Sequence, residues 1–490
     1  MVRMRAETAA RQEGLGIQET DEVGMAAAEK IEDPGPDDLS ALRAAYSLLD
    51  EHGVERSLWL TRRLSGLRWE DSAPCRVGSR MGRPEKAGTR EMKPMVHALY
   101  PIAENGGPQR LLGLAAGKGV IRVQMGLRVC DKCGQESPHL RCHNRLVPSE
   151  AVECGGATQR KKIRGANRYT RRLGQYTSVP LEEIIEVKRR SLGLERIPVR
   201  IKAVKGLTSV AQTPEPIEKG ILRAKHGVSV FRDGTSRYDM SDVPLTHFRP
   251  SEIGTPWNVL FDLGYKHDIF GDELSSDEQL LELLPQDFVP SISAKGPLLA
   301  ICGFVDDLLV RFYGMDASYE AGDERDLIGH LAIGLAPHTS GGVLCRIIGW
   351  TTASAGYAHP LFHAAKRRNC DGDEDSLMML LDGLLNFSMS ILPAGRGGLM
   401  DAPLVLSTRI NPREIDKEAL NVDCSWTYTR AFYEATISRP HPNEIEKLVD
   451  LAGDRIGSIG EVRGYGWTHD SGKLDAGPVT SSYKTLKTMK

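Results

Sequence analysis

Apolar positions recur along the chain at two spacings, and the alternation between them predicts its elements. After Asp38-Leu39-Ser40, which suits a helix cap, Leu42, Ala45, Leu48 and Leu49 fall at helical spacing. Met95 to Tyr100 suits a strand, and Ile197, Val199, Ile201 and Ala203 alternate as one face of another, over Ile197 to Val204. Between them Leu181 to Arg190 predicts a helix. Its early Glu182, Glu183 and Glu186 and late Lys188, Arg189 and Arg190 match the helix dipole. Val228 to Asp239 predicts a β-hairpin turning at Asp233-Gly234. Residues 297–314 and 326–335 predict amphipathic helices, Gly342 to Trp350 a strand, Ser376 to Ile391 a strong helix, and Ala402 to Ile410 a strand. No internal repeat has a fixed period. Strands separated by short helices favour an α+β or barrel architecture over a doubly wound sheet.

Composition narrows the class. Hydrophobic residues make up 40% of the 490 positions and charged residues 26%. These values exclude wholesale disorder, a collagen-like chain and a disulfide-dense scaffold. The longest apolar run, Pro297 to Val305, is far shorter than the roughly 20 residues of a membrane span. The start, MVRMRAETAARQ, has no apolar stretch of the secretory kind. The net charge of -2 hides an uneven distribution: residues 17–38 are acid-rich, whereas seven of the residues from Arg160 to Arg172 are basic and none is acidic. Residues 1–38 read as a poorly packed leader ending in Asp-Pro-Gly-Pro-Asp-Asp.

The most informative stretch is Asn369-Cys370-Asp371-Gly372-Asp373-Glu374-Asp375. In an extended loop, side chains two apart project to the same side. Asp371 and Asp373 can then share a hard cation, with Asn369 adding a neutral oxygen. Magnesium favours a few carboxylates completed by substrate phosphate oxygens. Just upstream, Lys366, Arg367 and Arg368 place three cations beside the carboxylates, as a polyanionic substrate requires. A solvated acidic turn capping a helix is the competing reading. An EF-hand is excluded, because its sixth position would be Ser376 rather than glycine, followed by an apolar run.

Of nine cysteines, Cys130, Cys133, Cys142 and Cys154 are bunched. With no export signal, the bunch favours a reducing cytoplasm and a metal site over disulfides. Cys130-x2-Cys133 followed by Gly134 is a good zinc knuckle. The second half lacks a matching pair, so the fourth ligand of a structural Zn2+ site is Cys154 or His143. Two basic segments point toward a phosphate backbone. One carries Arg83, Lys86, Arg90 and Lys93; the other is Arg160 to Arg172, with Tyr169 interleaved.

These residues carry a family resemblance. The acidic stretch, preceded by His359-Pro360-Leu361-Phe362-His363-Ala364-Ala365-Lys366-Arg367-Arg368, resembles the active-site segment of the large subunit of archaeal family D DNA polymerase (DNA polymerase II). Further blocks agree in order: Arg80 to Ala87, Met92-Lys93-Pro94, Glu218 to Lys225, Thr246 to Pro250, Gly329-His330 with Gly334 to Ser340, and Arg396 to Val405. The resemblance spans roughly residues 72 to 490.

The resemblance implies a β-rich α+β fold of two double-psi β-barrels with an inserted zinc-ribbon-like segment and flanking helices, an architecture shared with multisubunit RNA polymerases. The corresponding division is a leader and helical remnant at 1–58, a first barrel at 59–129 and 161–250, a zinc-ribbon-like insert at 130–160, a second barrel with the acidic loop at 251–425, and a flanking segment at 426–490. Family members are longer at both ends, so the chain reads as a partial chain or one piece of a split subunit. The implied activity is magnesium-dependent transfer of a deoxynucleotide to a primer 3′-hydroxyl, with Asp371 and Asp373 holding Mg2+ in the two-metal manner. Asn369 completes the site, and Lys86 and Lys93 neutralise the transferring phosphates. Lys366, Arg367, Arg368, Arg83 and Arg90 contact substrate or DNA phosphates. The implied partners are primer–template DNA, dNTPs, a small subunit that carries the 3′-5′ exonuclease, and the sliding clamp; no membrane is involved. A piece of an RNA polymerase and a non-catalytic fragment that binds DNA or a partner subunit are the alternatives.

Overall fold

The computed structural model describes residues 87–467 and Leu474, apart from 127, 138, 140, 143–153, 161–174, 208–211, 368–372, 390, 393–398, 416 and 459. The helix predicted after Asp38 lies outside the described residues. Seventeen strands are used below, numbered in chain order. They are β1 (Ala87–Thr89), β2 (Ala98–Pro101), β3 (Val120–Met125), β4 (Arg128–Cys130), β5 (Glu136–Ser137), β6 (Thr158–Arg160), β7 (Gln175–Pro180), β8 (Ala203–Val204), β9 (Tyr238–Pro244), β10 (His247–Phe248), β11 (Leu281–Glu282), β12 (Asp287–Val289), β13 (Leu331–Leu335), β14 (Gly341–Ile347), β15 (Ala355–Ala358), β16 (Glu374–Met379) and β17 (Val405–Ser407).

Six of them close into a barrel in the order β9-β15-β12-β14-β13-β16, with β16 returning to β9. The β9–β15 and β12–β14 pairs are parallel and the other four antiparallel. β1 pairs with the first residues of β9, Tyr238 to Met240, on the side opposite β16, and β17 pairs with β14. Where two barrels were expected, one closed barrel is present among the described residues. The remaining strands form small sheets: β2 with β8, β3 with β7, β10 with β11, and β5-β4-β6 around the cysteines. The fold is thus mixed α+β, with a β-rich barrel at its centre.

The barrel strands are buried on both faces, and this explains where the periodicity misled. On β13, Ala332 faces the main core while Ile333 and Leu335 join Met378 in a second cluster. On β16, Leu377 and Met379 face the main core and Met378 the other. A strand buried on both faces reads as a continuous apolar run, which spacing alone cannot tell from a helix. Residues 326–335, expected as a helix, are therefore a turn followed by β13. The helix expected over Ser376 to Ile391 is instead β16 followed by a short helix, Leu380–Asn386. The strand expected over Ile197 to Val204 shrinks to β8, with Val199 left 88% exposed. That over Ala402 to Ile410 shrinks to β17.

The Asp233-Gly234 turn forms, with the Phe231 N–H donating to the Thr235 carbonyl at 2.7 Å. Gly234 takes φ +97°, and a Cβ there would lie 2.2 Å from the Asn386 carbonyl oxygen. The hairpin does not continue, because the returning strand, β9, pairs with β1, β15 and β16 instead. The predicted helices Leu181–Ser191 and Lys295–Leu308 are present. A third, Ile217–His226, buries Ile217, Ile221 and Leu222 in the same core as Leu298, Ile301 and Phe304. It also buries Arg223, which donates to Glu215 at 2.7 Å and to the carbonyls of His97 and Gly234.

That helix lies against β2 at Gly220, where an added Cβ would fall 2.3 Å from Ala98 Cβ and 2.9 Å from Ala98 Cα. Helix propensity alone favours alanine over glycine by about 1 kcal/mol. Overpacking against backbone costs about 1–3 kcal/mol and sets the sign. Gly220→Ala should therefore lower the thermal unfolding midpoint; a raised midpoint would contradict this close approach.

Candidate active site and cysteine cluster

The acidic stretch enters the barrel at the start of β16. The backbone carbonyl of Asp373 accepts from the Asp242 N–H at 2.8 Å, and Glu374, Asp375 and Ser376 pair with Ser241, Met240 and Asp239 of β9. Asp373 is 6% exposed. It leads a strand rather than a helix, so the reading of these acids as a helix cap has no helix to cap. On the side of β9 away from β16 lies β1, with Ala87, Gly88 and Thr89 opposite Met240, Asp239 and Tyr238. The segment leading to Arg90 and Lys93 thus lies one strand away from the acidic entry.

Strand alternation sorts the charges on β16. On one face, Glu374 and Ser376 meet Arg90, whose guanidinium lies 3.2 Å from Asp239, 3.4 Å from Asp401 and 3.8 Å from Glu374. Ser376 donates to Asp239 at 2.5 Å. Burial, with the neighbouring Glu374, pushes the Asp239 carboxyl up to about 7, although Arg90 opposes the rise. Asp401 also accepts from Arg232 at 3.1 Å and from the His338 N–H, and its carbonyl accepts from Arg237. Arg90, Arg232 and Arg237 surround the ring of Phe231, each within 5.4 Å of its centroid.

On the other face, Asp375 points the same way as Leu377 and Met379 and pairs with the ammonium of Lys366. The same ammonium lies 3.4 Å from Asp242 Oδ2 and 4.4 Å from the ring centre of Phe362. His363 faces Asp242 at 3.1 Å through Nδ1 and donates from Nε2 to the Val243 carbonyl. Burial works against the Asp242 carboxylate, but His363 and Lys366 more than offset it and hold its pKa below the ordinary value. Phe362, His363 and Lys366 are brought in by the helix Pro360–Ala365. His359 caps that helix, with Nδ1 accepting from the Leu361 N–H at 3.2 Å. Its burial, then the nearby His247 and His363, push its pKa down to about 3.

Of the expected site residues, Asp373, Lys93, Arg90, Lys366 and Arg367 are described. Asn369, Asp371, Arg368, Arg83 and Lys86 lie outside the described residues. Lys93 and Arg367 are exposed, Arg367 in the left-handed region at φ +60°. Arg90 is held by carboxylates and keeps 18% of its side chain exposed. Lys366 is 1% exposed and its ammonium is bonded to carboxylates, so this placement does not present it to a phosphate. Sequence reasoning missed Asp242, Asp239 and Asp401, which no local spacing links to the acidic stretch. It also missed His363, which shares a helix face with Lys366.

The four cysteines meet on the β5-β4-β6 sheet. Their sulfurs all lie within 4.8 Å of one another, with Cys130–Cys154 at 3.7 Å and Cys133–Cys142 at 3.6 Å. A tetrahedral ion with metal–sulfur bonds of about 2.3 Å places its sulfurs about 3.8 Å apart, so the donor set fits. Backbone N–H groups of Cys133 and Lys132 point at Cys130 Sγ and pull its pKa down to about 7. At Gly156 a Cβ would lie 2.7 Å from Cys130 Sγ, so glycine keeps the cradle open. Cys154 takes the fourth place, which the spacing had left between it and His143; His143 lies outside the described residues.

Residues 194–490 match the family described as DNA polymerase II large subunit DP2, catalytic domain, and residues 32–163 match the central domain of the same subunit. The chain belongs to the DNA polymerase II large subunit family. It is 48% identical to the DNA polymerase II large subunit of Methanocella arvoryzae, over 91% of this chain and 40% of that protein. It is 47% identical to those of Methanococcoides burtonii and Archaeoglobus fulgidus, over 90% and 87% of this chain and 39% and 38% of theirs. The chain spans about two-fifths of the length of the curated relatives it matches. The catalytic-domain match contains the whole barrel, the acidic stretch and Lys366. Among the described residues no helix is long and apolar enough to cross a membrane.

The Asp239 group gives a pH dependence with a definite sign. An acid whose pKa rises from 3.8 to about 7 on folding binds more protons folded than unfolded across that window. It therefore removes stability as pH rises from about 4 to 7, with a slope of at most about 1.4 kcal/mol per pH unit. Urea midpoints of Asp239→Asn should fall less steeply than the parent's over that range; parallel curves would contradict the assignment.

Proposed function

We propose that this chain carries the nucleotidyl-transfer centre of a DNA-templated DNA polymerase. The observation that carries the reading is the catalytic-domain match over residues 194–490, which includes the acidic stretch whose Asp373 is fixed at the start of β16. The primer 3′-hydroxyl gives up its proton to solvent as its oxygen bonds to the α-phosphorus of an incoming dNTP and the bond to pyrophosphate breaks. Asp371 and Asp373, with Asn369, would hold Mg2+ through oxygen ligands, and the bound ion would lower the pKa of that hydroxyl and neutralise charge on the pyrophosphate. Lys93 and Lys86 neutralise charge on the transferring phosphates. Arg367 and Arg368, with Arg83 and the exposed edge of Arg90, hold the DNA backbone. Base pairing with the template selects the nucleotide.

We read the closed barrel as one of two double-psi barrels. Its two parallel pairs within an otherwise antiparallel closed ring support this. The cysteine cluster is read as a structural Zn2+ site, since four protein thiols leave no open position for chemistry. The proposed partners are primer–template DNA, dNTPs, the exonuclease-bearing small subunit and the sliding clamp, with the complex working in the cytoplasm.

In the full-length large subunit assembled with its small subunit, Asp373→Ala or Asp371→Ala should abolish primer extension while primer–template affinity is retained. Undiminished extension would sink the assignment. Cys142→Ser should release zinc, as measured by metal analysis of the purified protein, and lower the unfolding temperature. Full zinc retention in that variant would contradict the proposed ligand set.

A further inference from the structure

We propose that Lys366 is a positioning residue. Buried between Asp242 and Asp375, it ties together the two flanks of the acidic segment and so sets Asp373 for metal binding without touching nucleic acid. The proposal rests on the reading of Asp373 as a metal ligand.

Lys366 follows the helix Pro360–Ala365 on one side of the acidic segment, and Asp375 lies on β16 at the other. Their ion pair joins a residue on one side of the acidic segment to a residue on the other. Asp242, on β9, accepts from Lys366 through Oδ2 at 3.4 Å, and its own backbone N–H holds the Asp373 carbonyl at 2.8 Å. Helix, β9 and β16 are thereby joined within reach of Asp373. Space is made for this arrangement: a Cβ on Gly334 of β13 would lie 3.1 Å from Lys366 Cδ and 2.8 Å from Phe362 Cζ. The other carboxylate oxygen of Asp242, Oδ1, is buried and has no hydrogen-bond partner among the described residues. Asp242 thus meets its cation through Oδ2 alone.

Two other roles fit less well. As a phosphate contact, Lys366 would have to leave two carboxylates and a sealed position. As a metal site, the trio Asp242, His363 and Asp375 has ligand atoms within 4.8 Å of one another, but the ammonium is already paired with both carboxylates. Residues that orient a metal's direct ligands typically change metal affinity by about 10–100-fold when replaced.

The test uses the full-length two-subunit enzyme with Lys366→Met and, because that variant leaves buried acids unpaired, Asp375→Asn as well. Mn2+ affinity is measured by electron paramagnetic resonance on the primer–template complex without nucleotide, and the Mg2+ dependence of extension is measured in parallel. Both variants should weaken Mn2+ binding by about 10–100-fold and raise the Mg2+ requirement similarly. Primer–template Kd and the KM for dNTP should hold. Weaker DNA or dNTP binding with unchanged Mn2+ affinity would make Lys366 a phosphate contact and overturn the proposal. A lower unfolding temperature with unchanged Mn2+ affinity would overturn it in favour of a purely structural role. Asp373→Asn separates the two layers. Mn2+ binding that ignores Asp373→Asn overturns the metal reading itself, whereas binding that needs Asp373 but ignores the Lys366 and Asp375 variants overturns only the clamp.

Discussion

The elements around the acidic stretch depend on the buried ammonium of Lys366. It lies 4.4 Å from the ring centre of Phe362 and pairs with Asp375 on the face of β16 that also carries Leu377 and Met379, where an unpaired charge would cost several kcal/mol. Asp375 and Asp242 make it tolerable, and it makes them tolerable in turn. Removing one partner from such a set typically costs about 3–5 kcal/mol, because the others stay behind uncompensated. The consequence is geometric. β9, β16 and the helix Pro360–Ala365 cannot shift independently without separating these charges, and Asp373 is bonded to β9 at the start of β16.

The opposite face of β16 repeats the logic with more solvent. Arg90 is shared among Asp239, Asp401 and Glu374, and Asp401 is shared among Arg90, Arg232 and the His338 backbone. One face of the strand is thus locked by a sealed charge cluster and the other by a half-open one. The cysteine cluster stands apart on its own small sheet. Its thiols converge with backbone N–H support, and they share no ligand with the acidic stretch.

Much of the proposed chemistry was legible in the sequence because its signals are local. The bunched cysteines, the alternating Asp371 and Asp373, and the ordered motif blocks each announce themselves within a few residues. The fourth cysteine was not decidable, because only the sheet brings Cys154 to Cys130. The partners of Lys366 were invisible for the same reason: Asp242 lies on a strand far upstream. Lys366 itself was misleading, since a cation followed by Arg367 and Arg368 beside carboxylates looks like a contact for a polyanionic substrate, whereas its ammonium is buried against Asp242 and Asp375. Its spacing of three from His363, at the end of the same short helix, was the available signal that this cation turns inward. The helix expectations over 326–335 and 376–391 failed because barrel strands buried on both faces lose the alternation that identifies strands. The helix Leu181–Ser191 was readable from its acidic first turn and basic last turn, and Lys295–Leu308 from an amphipathic stripe long enough to count.

If Asp373 holds the metal while Lys366 holds the neighbouring acids, the positions of both can be seen by anomalous scattering from Mn2+ in crystals of the enzyme bound to primer–template. Manganese should then be coordinated by Asp373 and Asp371, with Lys366 still paired to Asp375. Manganese among Asp242, His363 and Asp375, with the lysine displaced, would contradict this placement.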